Sequence, residues 1–317
     1  MKRRAFLRAA LSTLAIPALG AAPSGPESEI SLKISTGTLF GTLTLPSAMP
    51  APLVLIVAGS GPTDRNGNNP LAQGKNDAYA LLASALSGRG IASVRYDKRG
   101  IGASWATGIS EKDLRFENYA EDAASWIRLL AGDGRFKGVT LAGHSEGSLL
   151  GMIAVQNAPA RAFVSLEGAG RPAPVVLREQ LQRNLSAKLY AKADAIIRSL
   201  QQGKLSPNPP PELVFFFRES VQPYLISWFK YDPATEIAKV RLPVTIVQGT
   251  ADLQVSMDDE RALAHGNPEA RVVVVDGMNH VLKHAPNTWS QQGIIEGYED
   301  PSLPVDDQVV EAVASAA

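Results

Sequence analysis

A chain of 317 residues, 45% hydrophobic and 20% charged, is long enough for one large α/β domain carrying an inserted subdomain. Its 31 Lys and Arg balance 31 Asp and Glu, with no long run of one sign, which excludes the basic stripe of a nucleic-acid binder. The absence of cysteine removes disulfides, thiolate metal sites and cysteine nucleophiles, and four histidines leave little for a histidine-rich metal centre, so neither a metal nor a cofactor is expected.

The chain opens with Lys2, Arg3, Arg4 and Arg8 beside the apolar stretch Ala9 to Leu19, closed by Gly20, Ala21 and Ala22. A charged start, a short apolar run and small residues predict a secretory signal peptide over 1–22. The segment Arg3-Arg4-Ala5-Phe6-Leu7-Arg8 resembles the twin-arginine type, departing from it at Lys2, so export to the periplasm or medium of a bacterium is expected. No later run of about 18 apolar residues follows, and no membrane span is expected in the mature chain.

After a Pro/Ser/Gly linker, Ile30 to Ser35 and Leu39 to Leu45 read as a hairpin of half-buried strands. Leu53 to Ala58 is a continuous apolar run, the pattern of a strand buried on both faces, and it feeds Gly59-Ser60-Gly61-Pro62. Helix Ala78 to Leu86, strand Ile91 to Tyr96, helix Tyr119 to Leu130, strand Val139 to Ala142, helix Glu146 to Gln156 and strand Ala162 to Leu166 follow. This alternation predicts an α/β fold with a mostly parallel central sheet flanked by helices. From Arg171 to Lys239 no strand pattern appears. Two helical stretches, Val175 to Gln202 and Glu212 to Tyr231, flank a proline-rich break. Alternation returns with strand Val244 to Gln248, helix Met257 to Ala264, strand Arg271 to Val275 and a terminal helix Val305 to Ala316. The layout expected is a catalytic domain of 29–170 and 240–317, with a helical cap of 171–239 inserted between strands 6 and 7.

Gly143-His144-Ser145-Glu146-Gly147 lies between a buried strand and a helix, where G-x-S-x-G makes a sharp turn that exposes a serine nucleophile. A serine hydroxyl needs a base. His280 follows an apolar strand, at the carboxyl end where open α/β sheets bind ligands, and is preferred to His284 four residues on. His144, a sequence neighbour of the serine on a tight turn, is expected to be structural, and His265 to lie on the surface. Asp252 in Gly249-Thr250-Ala251-Asp252 ends another strand and suits the third position, whereas Asp258 and Asp259 suit the first turn of a helix. The oxyanion is expected to be held by the backbone N–H groups of Ser60 and Glu146.

These motifs, together with Thr63-Asp64-Arg65, Tyr96-Asp97-Lys98-Arg99-Gly100-Ile101-Gly102-Ala103-Ser104 and Met278-Asn279-His280, make the chain resemble the α/β-hydrolase superfamily, in its serine aminopeptidase, lysophospholipase-like and esterase branch. The resemblance implies an α/β-hydrolase fold, Ser145, Asp252 and His280 as a triad, Ser60 and Glu146 as the oxyanion hole, and Asp97 and Arg99 as braces. Ala58-Gly59 stands where many relatives carry His-Gly. Carboxylic ester hydrolysis is the activity expected, on a small-molecule ester or short peptide. An aminopeptidase would need an anionic group in the cap for the substrate ammonium, from Glu179, Glu212 or Glu219. An acyltransferase, or a non-catalytic binding protein of the same fold, are the other readings. Two or three of Phe215, Phe216, Phe217, Tyr224, Trp228, Phe229 and Tyr231 are expected to reach the cavity.

Overall fold

The computed structural model describes residues 25–70, 72, 74–284 and 296–317; the signal-peptide expectation for 1–22 lies outside them. Strands β1 (Glu27–Ile34) and β2 (Gly37–Thr44) form an antiparallel hairpin at one edge of an eight-stranded sheet. The sheet continues through β4 (Ala92–Tyr96), β3 (Ala51–Val57), β5 (Phe136–His144), β6 (Ala162–Leu166), β7 (Val244–Gly249) and β8 (Arg271–Val275), in the order β1-β2-β4-β3-β5-β6-β7-β8. From β4 to β8 every pairing is parallel, as the βαβ alternation requires.

β3 shows why its sequence is apolar without a break. Leu53, Leu55 and Val57 enter one core, Val54, Ile56 and Ala58 the other, because successive side chains point to opposite faces. Helices α1 (Ala78–Gly88) and α10 (Asp307–Ala316) cover the second face with Leu82, Leu86, Val309 and Val313. Helices α2 (Phe116–Ala131), α3 (Glu146–Val155) and α9 (Met257–Gly266) cover the first with residues such as Trp126, Ile127, Leu150 and Leu263. The sheet is thus buried between two apolar layers, and its strand ends are the places left open for chemistry.

Between β6 and β7 the chain leaves the sheet for five helices: α4 (Ala173–Asn184), α5 (Ala187–Gln201), α6 (Val214–Phe217), α7 (Gln222–Trp228) and α8 (Pro233–Ile237). The first long helical stretch read from the sequence is two helices, broken at Leu185, with Ser186 capping α5 by accepting from Leu189 N–H. The second is a 3₁₀ turn, Pro211–Leu213, followed by the short helices α6 and α7. Its break at Arg218–Val221 follows from side-chain demand elsewhere: Arg218 and Ser220 both hydrogen-bond Glu111, in a 3₁₀ turn of Glu111–Asp113. Among the described residues no helix is long and apolar enough to cross a membrane.

Two guanidinium–carboxylate pairs hold the loop after β4. Arg65 reaches Asp97 through Nε (2.9 Å) and Nη2 (2.7 Å), while Asp97 also accepts from Arg65 and Ala103 N–H. Arg99 grips Asp122 of α2 at 2.5 and 2.6 Å. The bidentate geometry of the second pair is what lets its charges lie out of water. The Asp64–Asn69 loop is therefore tied down: Asp64 accepts from Asn66 and Asn68 N–H, and Asn68 bonds Asp77.

Candidate active site

Ser145 sits between the end of β5 and the start of α3 with φ 54° and ψ −121°, a backbone conformation that side-chain-bearing residues rarely adopt. The flanking glycines make this turn sterically possible. A Cβ on Gly143 would lie 2.2 Å from the Gly147 carbonyl oxygen, and one on Gly147 would lie 2.3 Å from that of Val57. The turn is held from the neighbouring strand by Ser145 N–H donating to Leu166 O at 2.9 Å. Glu146 is the first residue of α3, so its N–H has no acceptor within the helix.

Asp252 and His280 come from the ends of β7 and β8, and His280 Nδ1 stands 2.6 Å from Asp252 Oδ2. The other carboxylate oxygen, Oδ1, accepts from Gln254 N–H (2.6 Å) and Val255 N–H (3.0 Å). Burial alone would push the Asp252 pKa up, but the charge and hydrogen bond of His280, with the Val255 N–H, hold it below the ordinary carboxylate value. His284 is exposed and has its ring against Gly277. His265 is an exposed residue in the last turn of α9, not beyond it.

His144 ties the strand-end loops together. Its Nε2 is 2.7 Å from the carbonyl oxygen of His280, which can only accept, so Nε2 carries the hydrogen. Nδ1 then accepts from the Tyr79 hydroxyl at 2.7 Å, and that hydroxyl accepts from Gly59 N–H at 3.1 Å. One chain of hydrogen bonds thus joins the glycine loop, the serine turn and the His280 loop, whose imidazole lies 4.8 Å, centroid to centroid, from that of His144. With both nitrogens committed, His144 is no base for Ser145. Burial, followed by the charge of His280, lowers its pKa from 6.5 to about 3. The unfolded chain therefore takes up a proton below pH 6.5 that the folded chain refuses until about pH 3, and the His144 contribution to stability is lost across that window as pH falls. Melting temperatures measured between pH 7 and 4 are expected to fall more steeply for the wild type than for His144→Gln, whose amide keeps one donor and one acceptor. Equal slopes would refute this.

The Gly59 carbonyl is also fixed. Lys98 Nζ, 1% exposed, donates to it at 2.5 Å and lies 3.3 Å from Glu146 Oε1. Both peptide groups flanking Gly59 are thus held, which sets the direction of Ser60 N–H in a planar chain. The sequence motif contained Lys98, but its part in this contact follows only from the fold.

Ser60, Ser145 and Glu146 open onto a cavity of about 680 Å³ between the strand ends and the inserted helices. Of the seven aromatics considered from sequence, four line it: Phe215, Phe216, Tyr224 and Trp228, joined by Tyr119 of α2. Phe217 is fully buried in the main core instead, and Phe229 and Tyr231 pack against that core. Glu179, Glu212 and Glu219 are not in the cavity wall. Glu179 pairs with Arg171 and Glu219 accepts from Asn208 N–H. Among the described residues the carboxylates lining the cavity are Glu111, paired with Arg218, and Glu146, paired with Lys98. None is left over for a substrate ammonium.

Glu167 was not singled out from the sequence. It directly follows β6 with φ 48°, is fully buried, and accepts from Gly249 N–H (2.8 Å) and Gln248 Nε2 (2.5 Å). The strand-end reasoning that selects Asp252 and His280 applies equally to Ser165-Leu166-Glu167-Gly168.

Comparison with known proteins agrees with this architecture. Residues 48–288 match the family model described as the alpha/beta hydrolase family. A search of curated proteins finds no match. Among solved structures, the chain is similar to Est1E from Butyrivibrio proteoclasticus with ferulic acid bound, at 17% identity and TM-score 0.58, over 90% of this chain and 96% of that one. It is similar to the alpha/beta hydrolase GrgF from Penicillium sp. sh18 at 15% identity and TM-score 0.59, over 92% and 99% of the two chains. A thermophilic esterase from Thermogutta terrifontis, with malate bound, matches at 15% identity and TM-score 0.53, over 92% and 97%. At such identities the likeness is one of fold. With the family model spanning most of its length, and with this strand order and serine turn, the chain belongs to the alpha/beta hydrolase family.

Proposed function

We propose that the protein is a serine hydrolase that cleaves carboxylic esters with bulky apolar acyl groups through an acyl-enzyme. Ser145 attacks the ester carbonyl while His280 Nε2 takes its proton. Asp252 holds Nδ1–H and stabilises the imidazolium, and the N–H groups of Ser60 and Glu146 receive the oxyanion. His280 then protonates the leaving alcohol, and a water repeats the sequence to release the acid. What supports this reading is the strained Ser145 turn together with a His280–Asp252 pair at 2.6 Å, whose imidazole lies 4.8 Å, centroid to centroid, from that of His144, the residue before the serine. Ester rather than peptide cleavage is favoured because every cavity carboxylate described is already paired. The aromatic lining favours acyl groups larger than acetyl. Export, expected from the first 22 residues, belongs to the same proposal.

A panel of p-nitrophenyl esters from acetyl to octanoyl and benzoyl, beside aminoacyl p-nitroanilides, tests it. The longer and aryl esters are expected to give the highest kcat/KM, and the anilides at least about 100-fold less. Faster turnover of the anilides would overturn the ester assignment.

A further inference from the structure

Behind Asp252 lies a second carboxyl that the proposed mechanism does not use. One ligand atom each of Glu167, Asp252 and His280 lies within 4.8 Å of the others. Glu167 is 0% exposed and, among the described residues, makes no ion pair with a Lys or Arg. Its oxygens accept from one backbone N–H and one neutral amide, donors that do not offset a full buried charge. Asp252, by contrast, has two backbone N–H donors and the His280 ring. Two carboxyls so close do not both ionise out of water, and the better-solvated one keeps the charge.

We infer that Glu167 is a positioning residue: a neutral carboxylic acid whose O–H donates to the Asp252 carboxylate and fixes it against His280. This rests on the assignment of Asp252 and His280 to the triad. Burial first, and then the Asp252 charge, raises the Glu167 pKa well above the carboxylate range, in keeping with the geometry. Among the described residues, the titratable groups facing it are Asp252, His280 and, from the chain after the His280 loop, Tyr298. Tyr298 is itself kept neutral by burial and by the Asp252 charge. The positive φ of Glu167 aims the side chain from the end of β6 across the end of β7, where Gly249 allows close approach. A Cβ on Gly249 would lie 2.9 Å from Glu167 Oε1.

Three variants and one spectrum test it in the full chain. Glu167→Ala is expected to lower kcat about tenfold to a hundredfold with KM little changed, the loss of a hydrogen bond to a charged group. Its acid limb of kcat/KM should move to higher pH, because an Asp252 charge no longer shared holds the imidazolium more tightly. A residue that only packs the core would not move that limb. Glu167→Gln, whose amide can donate to Asp252 and accept from Gly249, should recover most of the loss, whereas Glu167→Leu should not. The infrared difference between wild type and Glu167→Gln at pH 7 should contain the carbonyl stretch of a protonated carboxylic acid. That readout needs no turnover, so it stands even where Glu167→Ala does not fold or the ester assignment fails. A spectrum with carboxylate bands only, or equal activity and acid limbs in wild type and Glu167→Ala, overturns the inference.

Discussion

Ser145→Ala is expected to lower kcat on the best ester of the panel by roughly 10⁴-fold or more, with an unfolding midpoint close to that of the wild type. In the proposed mechanism the substitution removes the atom that forms the acyl bond, and the residual rate is what the Ser60 and Glu146 amides and substrate binding supply without it. The fold should survive because the costly features of the turn are backbone ones. Alanine has the same Cβ as serine and meets the same φ of 54°, while the glycines that relieve the crowding remain. Steady-state kinetics, with labelling of wild type and variant by a fluorophosphonate probe, checks the result. Near-normal turnover, or equal labelling of the variant, would remove Ser145 from the mechanism.

Asp252→Asn should cost a similar amount, about 10⁴-fold in kcat at neutral pH, although it changes one atom. The two backbone N–H groups at Oδ1, from Gln254 and Val255, will hold the asparagine carbonyl there. The NH₂ is then directed at His280 Nδ1, where Oδ2 stands now, 2.6 Å away. Facing a donor, Nδ1 becomes the acceptor and the proton moves to Nε2, the nitrogen that must be free to take the serine proton. The geometry is kept and the tautomer is wrong. A loss under about tenfold would show that Asp252 does not set the tautomer of the base.

The parts of this site that were legible in the sequence are those whose physics is local. The serine turn needs two glycines at fixed spacing between an apolar strand and a helix, and those five residues carry that requirement wherever they fold. Asp252 and His280 were found by their place after apolar runs, since strand ends in a parallel sheet are where loops are free to bind. Glu167 stands after an apolar strand as they do, but Lys98 and Tyr79 carry no such signal, because the partners that define their roles, Gly59 and His144, lie 39 and 65 positions away in the chain. The helical insertion divides in the same way. Its helical character was periodic and readable, but its break at Arg218–Val221 lies where Arg218 and Ser220 reach Glu111, over a hundred residues earlier in the chain.

By itself the sequence determined the class of fold and the strand and helix order, and it nominated a serine on a sharp turn with an aspartate and a histidine at strand ends. Each of these depends on hydrophobic period, steric need or position relative to a strand, properties carried by neighbouring residues. The tertiary structure alone decided which polar side chains are stripped of water and which partner each then finds. That is what makes His144 a neutral clamp, pairs the cavity carboxylates with Lys98 and Arg218, and sets Glu167 against Asp252. Burial and charge pairing depend on distances between residues remote in the chain, and no local pattern encodes them.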